Sequence, residues 1–315
     1  MFDKNLAETH NLVIVSSVSE NEVLNAMIKA REITAGLLAT EFDKKCRELD
    51  TLLSKISILI NKVKAKYSIE EIDAGFSINK LIKKGSIRKY ILELDPKCFI
   101  SLKKVFKLYS LGELSGLEFF DRVRAAIRLS LNIKERDLYQ LFVFLSLLLY
   151  LKADILMPSS KLILERKTLP KKIPATVVLA TADGKYLSIF YEALRPVKGC
   201  GIPRYRPDLM VYNRPVFEVT FSSDRVHPLP DYIVEIESGS KWFEKENARI
   251  WGKISNIDLV KNYLEVFQPH KLVLVSRVKV PHAIREDLAK YNIVLIDGVY
   301  YDYTFLGKEL TRIFE

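Results

Sequence analysis

The sequence predicts an α/β protein in which an all-helical N-terminal domain precedes a mixed α/β domain built on a central sheet. From residue 19 to about residue 151, apolar side chains recur every three or four positions, which is typical of amphipathic helices. Later in the chain, short runs of β-branched and aromatic residues indicate strands. A Lys- and Pro-containing stretch at 166–174 separates the two patterns. A chain of 315 residues is long enough to bury two separate hydrophobic cores. We therefore expect two domains, at 1–165 and 166–315.

The N-terminal pattern predicts helices near 19–38, 40–66, 96–109, 115–131 and 135–151. Ser19 with Glu22 forms a capping-box pattern, and Asp95 precedes a proline at a first helical position. A run at 12–15 is a possible strand. The last two helices, with strands at 155–157 and 162–164, could also form a winged helix-turn-helix. The final helix is mostly Leu and Phe, which favours a buried helix over one that reads DNA.

The C-terminal pattern predicts seven strands, at 175–180, 186–191, 209–212, 216–221, 232–236, 271–276 and 293–296. Asp183 and Gly184 form a hairpin signal between the first two strands. Helices are expected at about 241–267 and at 281–290. This alternation predicts a mixed sheet with helices packed on it.

Composition indicates the compartment and the kind of partner. The net charge of +10 and the pI near 9.2 favour a polyanion, either nucleic acid or an anionic membrane surface. The three cysteines are widely spaced and form no CxxC pair, which favours a reducing environment over a disulfide framework or a zinc site. Residues 1–11 lack the apolar core of a secretory signal, so we expect a cytoplasmic protein. Scarce Gln and abundant Lys and Glu are typical of thermophiles.

The apolar segment at 138–151 is shorter than the roughly 20 residues that a membrane-spanning helix needs. A buried core helix is therefore expected there, and no membrane association.

Three acidic residues form a candidate metal site. Asp208 follows a proline and opens an apolar run, whereas Glu235 and Glu237 end another. Because side chains alternate along a strand, Glu235 and Glu237 are expected on one face. Two acids on one face are costly to keep together without a cation. Clustered carboxylates are also what metal-dependent hydrolysis of phosphodiesters requires.

With these motifs, residues 166–315 resemble the PD-(D/E)XK, or restriction-endonuclease-like, nuclease superfamily. The resemblance rests on Pro207-Asp208 opening one strand, on Glu235-Ile236-Glu237 ending the next, and on the helix, strand, helix and strand that follow. It implies a restriction-endonuclease-like fold and a DNA endonuclease in which Asp208 and Glu235 bind Mg²⁺ or Mn²⁺. The family usually has Lys at the third motif position, where this chain has Glu237.

Two hypotheses address that third position. Glu237 could act as a metal ligand or general base. Alternatively, a lysine from elsewhere could stabilise the developing charge, and the candidates are Lys241, Lys253 and, as the favoured one, Lys261 near the middle of a predicted helix. Glu192 resembles the upstream acid that some members of the family add to the metal site, although an exposed strand-end residue is the alternative.

The loop that leads to Asp208 is rich in cations. Arg195, Lys198, Arg204 and Arg206 are candidates for holding a phosphate backbone, and Tyr205 is a candidate for stacking on a base. The glycines of this loop match neither a Walker nor a dinucleotide fingerprint, so no small-molecule cofactor is expected.

The leading interpretation is a Mg²⁺- or Mn²⁺-dependent endodeoxyribonuclease with DNA as its partner. Its helical domain would bind DNA or form a homodimer. A catalytically inactive nuclease-fold protein that acts in DNA binding or complex assembly is the main alternative. A regulator with a ligand-sensing α/β half is the third. The acids also have structural interpretations, as a turn or cap residue for Asp208 and as a solvated strand pair for Glu235 and Glu237.

Overall fold

The computed structural model describes residues 39–93, 95–164, 172–192, 205–220, 229–244 and 255–314. Contacts between Cα atoms divide the chain into two compact units, Met1–Leu53 with Lys80–Glu135 and Ser54–Asn79 with Arg136–Glu315. The helix expected at 19–38 and the strand expected at 12–15 lie outside the described residues. So does the predicted boundary between residues 165 and 166, which stays a prediction.

The first helical elements are α1 (Ala39–Tyr67), α2 (Phe76–Lys84), α3 (Ile87–Glu93), α4 (Pro96–Ser110) and α5 (Gly116–Tyr150). The helices expected at 40–66 and 96–109 are confirmed by α1 and α4. The expectation of separate helices at 115–131 and 135–151 is wrong, because α5 is continuous. Neither Gly nor Pro interrupts the chain between its first residue and Tyr150, so nothing in the backbone forces a break.

The unit that contains Lys80–Glu135 is helical in its described part. Phe119 of α5 packs against Tyr109 of α4, with ring centroids 4.7 Å apart. Lys45 of α1 forms an ion pair with the buried Glu135 at 2.6 Å. These contacts confirm a helical region before the sheet.

The remaining elements all belong to the unit that comprises Ser54–Asn79 and Arg136–Glu315. The short β1 (Glu71–Asp73) lies in the first of these two segments, and the others lie in the second. They are β2 (Ala153–Met157), β3 (Lys161–Ile163), β4 (Lys172–Pro174), β5 (Val177–Thr181), β6 (Tyr186–Tyr191), β7 (Leu209–Tyr212), β8 (Glu218–Thr220), β9 (Tyr232–Glu237), α6 (Asn256–Phe267), β10 (Lys271–Ser276), α7 (His282–Lys290), β11 (Ile293–Asp297) and α8 (Tyr303–Phe314).

A seven-stranded mixed sheet has the strand order β11-β10-β9-β7-β6-β5-β2. Within this sheet β2, β5, β6, β7 and β9 pair antiparallel in that order. Strands β9, β10 and β11 pair parallel and are connected by α6 and α7. The chain is therefore a mixed α/β protein with a helical region before the sheet, as the sequence predicts.

Strand predictions agree closely with the structure at β6, β7 and β10, whose bounds are those expected. The alternative in which 155–157 and 162–164 form a two-stranded wing is wrong. Strand β2 pairs with β5, and β3 pairs with β1. Helix α8 is an element that the sequence patterns did not predict.

Helices cover both faces of the sheet. On one face, Phe144 of α5 contacts Tyr191 and Phe314 of α8 contacts Tyr232, with ring centroids 5.3 and 5.0 Å apart. On the other face, Ile233 packs into a buried cluster with Tyr263 of α6. The interior strand β9 is consequently buried from Ile233 to Glu237.

The apolar segment at 138–151, expected to be a buried core helix, forms the last part of α5 as far as Tyr150 and is largely buried. Across the described ranges, no helix combines the length and the apolar character that crossing a membrane requires.

Candidate functional site

Three acidic residues lie next to one another across the ends of three adjacent strands. The antiparallel register of β7 and β9 places Asp208 opposite Glu235, one step beyond their last ladder pair. The register of β6 and β7 likewise places Glu192 opposite Asp208, and the Glu192 amide donates to the Asp208 carbonyl oxygen at 2.6 Å. Glu192, Asp208 and Glu235 therefore form a row across the ends of β6, β7 and β9, on one side of the sheet.

The fourth acid, Glu237, extends this row along β9. Strand alternation puts Glu235 and Glu237 on the face that also carries Ile233. The exposed fractions are 4% for Asp208, 0% for Glu235 and 3% for Glu237. Carboxylates this deeply buried are costly unless donors or a cation compensate them. The structure thus brings together the three acids that the sequence singled out.

Asp208 joins β7 to β9 and to helix α5. Its Oδ2 accepts a hydrogen bond from the Ile236 amide at 2.7 Å, and its Oδ1 accepts one from Gln140 Nε2 at 2.5 Å. The Asp208 amide in turn donates to Glu235 Oε2 at 3.4 Å. Asp208 therefore has a structural role, because it connects the start of β7 to β9 and to α5.

Gln140 is the residue of this site that sequence reasoning missed. It lies on α5, is 2% exposed, and contacts an acid 68 positions later in the chain. Glutamine occurs only at 140 and 268 in the chain. The available signal was a lone amide within a Leu- and Phe-rich helical run, which identifies a buried polar group but not its partner.

Glu192 and Arg206 pair with each other. Arg206 Nη2 donates to Glu192 Oε2, and the arginine side chain is 46% exposed whereas the glutamate is 16% exposed. The sequence assigned Glu192 to a metal and Arg206 to a phosphate. In this conformation the two charges neutralise each other beside Asp208.

Two of the candidate lysines, Lys241 and Lys261, each lie beside a carboxylate other than the three predicted acids. Lys261 Nζ lies 2.8 Å from Asp287 Oδ2 and 4.3 Å from the centroid of the Tyr291 ring. The hydrogen bond with Asp287 raises the pKa of Lys261. Lys241 is exposed, and its Nζ lies 3.2 Å from Glu244. Lys261 is thus held at the contact between α6 and α7, not at the acids.

The cationic loop is described only at its end. Arg195, Lys198 and Arg204 lie outside the described residues, as does Lys253. Tyr205 is 4% exposed and packs edge-on against Tyr263. This position leaves little of its ring for stacking on a base.

The end of β9 is held by the neighbouring strand. The Arg277 amide donates to the Glu237 carbonyl at 2.9 Å, and Arg277 Nε donates to the Ser238 carbonyl at 2.7 Å. Ser276, level with Glu237 in the parallel register, accepts a hydrogen bond from Trp242 Nε1 at 2.9 Å. The backbone that carries Glu237 is fixed by these bonds.

A pocket of 420 Å³ lies at the opposite ends of strands β6, β7 and β9. Its lining includes Tyr186 at the start of β6, Asn213 just after β7 and Tyr232 at the start of β9. The acids stand at the other ends of the same strands, so this pocket does not contain them.

In the conformation described, no three carboxylate, imidazole or thiol side chains of the described residues converge closely enough to enclose a metal ion. Asp208 instead faces its two donors, and Glu192 faces Arg206.

No protein-family model matches this sequence, and no curated protein matches it.

Proposed function

We propose that this protein is a metal-dependent endodeoxyribonuclease that hydrolyses phosphodiester bonds at the acidic edge of its sheet. The observation that carries the proposal is the burial of Asp208, Glu235 and Glu237 together at the ends of two paired strands. The restriction-endonuclease-like fold is part of the same proposal. The succession of α6, β10, α7 and β11 after β9 supports it, because this is the order that the resemblance implies.

The donor set suits a hard divalent cation. Carboxylate oxygens, with an amide oxygen available on Gln140, are the ligands that Mg²⁺ and Mn²⁺ prefer. Asp208 and Glu235 would hold the cation, with Glu237 and Glu192 as further oxygen donors. Asp208 can keep its hydrogen bond from Gln140 and bind the cation through a remaining lone pair, whereas Glu192 must turn away from Arg206.

The residues divide the chemistry among them. A bound Mg²⁺ supplies Lewis acidity at the phosphate and lowers the pKa of its bound water. In this proposal Glu237 would accept the proton of the attacking water. Arg206, once released from Glu192, supplies a positive charge to the phosphate beside Asp208.

The charge distribution supports DNA as the substrate. Residues 80–135 contain 13 Lys and Arg against 6 Asp and Glu. Such an excess attracts the phosphate backbone without reading its sequence. We therefore assign this helical region to binding of the DNA backbone, with dimerisation as its alternative role.

A second candidate function is a nuclease-fold protein that binds DNA, or assembles a complex, without cleaving. It is favoured by the engagement of Asp208 with two donors and by the pairing of Lys261 with Asp287. In that case the acids would only tie strands together.

Cleavage of supercoiled plasmid by the purified protein separates the two candidates. With Mg²⁺ or Mn²⁺, the wild-type protein should nick the plasmid, whereas Asp208→Asn and Glu235→Gln should not. Asp183→Asn is the matched control, because it removes an exposed carboxylate from the β5–β6 hairpin. Intact plasmid under all conditions, together with retained DNA binding, would replace the nuclease proposal by the second candidate.

A further inference from the structure

The two ends of the Gln140 amide have different environments. Its Nε2 donates to Asp208 Oδ1, which fixes the orientation of the amide because a carboxylate can only accept. Its Oε1 is buried and has no hydrogen-bond partner among the residues that the structure describes. The NH₂ group of the amide thus has a partner in Asp208, whereas its oxygen has none among the described residues.

A buried carbonyl oxygen without a partner is uncommon, because burial removes the water that would otherwise hydrate it. It requires either a proton donor or a cation. The Gln140 oxygen belongs to the same amide that contacts Asp208, so any group that satisfies it lies beside the acidic row. A ligand there gains a carboxylate and an amide oxygen together, which is a donor combination for a hard divalent cation.

We propose that Gln140 is a ligand and positioning residue of the cation site, with Nε2–H holding Asp208 and Oε1 coordinating the divalent cation that Asp208 binds. This inference rests on the proposed function, since it concerns the same site. It adds a neutral oxygen donor from helix α5 to the carboxylates of the sheet. Helix α5 thereby sets the position of the metal relative to the strands.

Calorimetric titration of the full-length protein with Mn²⁺ tests the assignment. Gln140→Met keeps the side-chain volume but removes both amide groups, and it should weaken Mn²⁺ binding about tenfold or more. Gln140→Glu keeps the oxygen while losing the donor, and it should bind Mn²⁺ as tightly as the wild type or more tightly. Tyr139→Phe is the matched control. It removes a buried hydroxyl, which has no hydrogen-bond partner among the described residues, from the adjacent position, and it should leave the affinity unchanged.

The comparison of variants separates the possible failures. If Gln140→Glu binds as weakly as Gln140→Met, Gln140 acts only as a donor to Asp208, and the ligand role is wrong. If Gln140→Met binds like the wild type while Asp208→Asn has lost binding, this inference fails and the proposed metal site stands. If the wild type binds no Mn²⁺, both fail. Thermal melting without metal confirms that each variant is folded.

Discussion

At the scale of single residues, Asp208 shows how a buried carboxylate is compensated by the chain itself. It accepts hydrogen bonds from the Ile236 amide and the Gln140 side chain. An asparagine would turn its own NH₂ group toward one of these donors. We expect Asp208→Asn to lower the free energy of unfolding by about 1–3 kcal/mol, measured by urea denaturation without added metal.

Asp183→Asn again supplies the control, because its carboxylate lies in an exposed ion pair with Lys185. A smaller loss is expected there. Equal losses for the two variants would show that the hydrogen bonds of Asp208 contribute no more than a surface ion pair does.

Cys46 provides a second residue-level prediction. Burial of its thiol, followed by the nearby carboxylates Asp50 and Asp43, raises its pKa to about 12. Because the thiolate is the reactive form, we expect Cys46 to resist alkylation in the native protein at mildly alkaline pH. Mass spectrometry after iodoacetamide treatment measures this, with the urea-unfolded protein as reference. Similar rates in both states would contradict the prediction.

At the scale of elements, Lys261 connects α6 to α7 through Asp287. This hydrogen bond lowers the pKa of Asp287 from its ordinary 3.8 and raises that of Lys261 from 10.5. The carboxylate's contribution to stability is present above pH 3.8 and is lost as the pH falls through its pKa in the folded state. The ammonium's contribution is present below pH 10.5 and is lost as the pH rises through its raised pKa.

The pair should therefore stabilise the fold at neutral pH. A double-mutant cycle of Lys261→Met and Asp287→Asn should give a coupling of about 0.2–1 kcal/mol at neutral pH, and none well below pH 3.8. The same Lys261→Met variant should retain most of its plasmid cleavage, because its ammonium lies at Asp287. Loss of cleavage in Lys261→Met but not in Asp287→Asn would restore Lys261 as a catalytic candidate.

Local patterns predicted elements well where a single periodicity was strong. Strands β6, β7 and β10 are runs of β-branched, Leu and aromatic residues, and their bounds follow from sequence. The winged alternative is wrong because strand pairing does not depend on closeness in sequence. Strands β2 and β3 are neighbours in sequence, yet β2 pairs with β5 and β3 pairs with β1. Helices α2 and α3, of nine and seven residues, were not predicted.

The placement of the three acids at neighbouring strand ends was predictable for a similar reason. Alternation along one strand is enough to place Glu235 and Glu237 together, and an acid at the head of the neighbouring strand adds Asp208. The contact of Gln140 with Asp208 joins two distant segments, and no local spacing encodes it. The pairing of Glu192 with Arg206 also depends on how β6 and the start of β7 meet.

At the scale of the whole molecule, charge is distributed unevenly along the chain. The acids that would bind a cation are buried in the unit of the sheet, whereas residues 80–135 hold much of the excess of Lys and Arg. If DNA is the partner, its backbone should be bound chiefly by that basic segment. Binding should then weaken as salt rises, because each neutralised phosphate releases condensed counterions.

Two pairs of exposed lysines test where DNA binds. Lys103 and Lys107 are one helical turn apart on α4, whereas Lys290 and Lys308 belong to the unit of the sheet. We expect the double variant Lys103→Gln, Lys107→Gln to lower the magnitude of the negative slope of log Kobs against log salt by about 1.8. Each duplex phosphate that a lysine no longer neutralises accounts for about 0.9 of this change. Fluorescence anisotropy with labelled duplex measures the slope. Lys290→Gln with Lys308→Gln removes the same charge and should change the slope less, so equal changes would mean that net charge, not the basic segment, governs DNA binding.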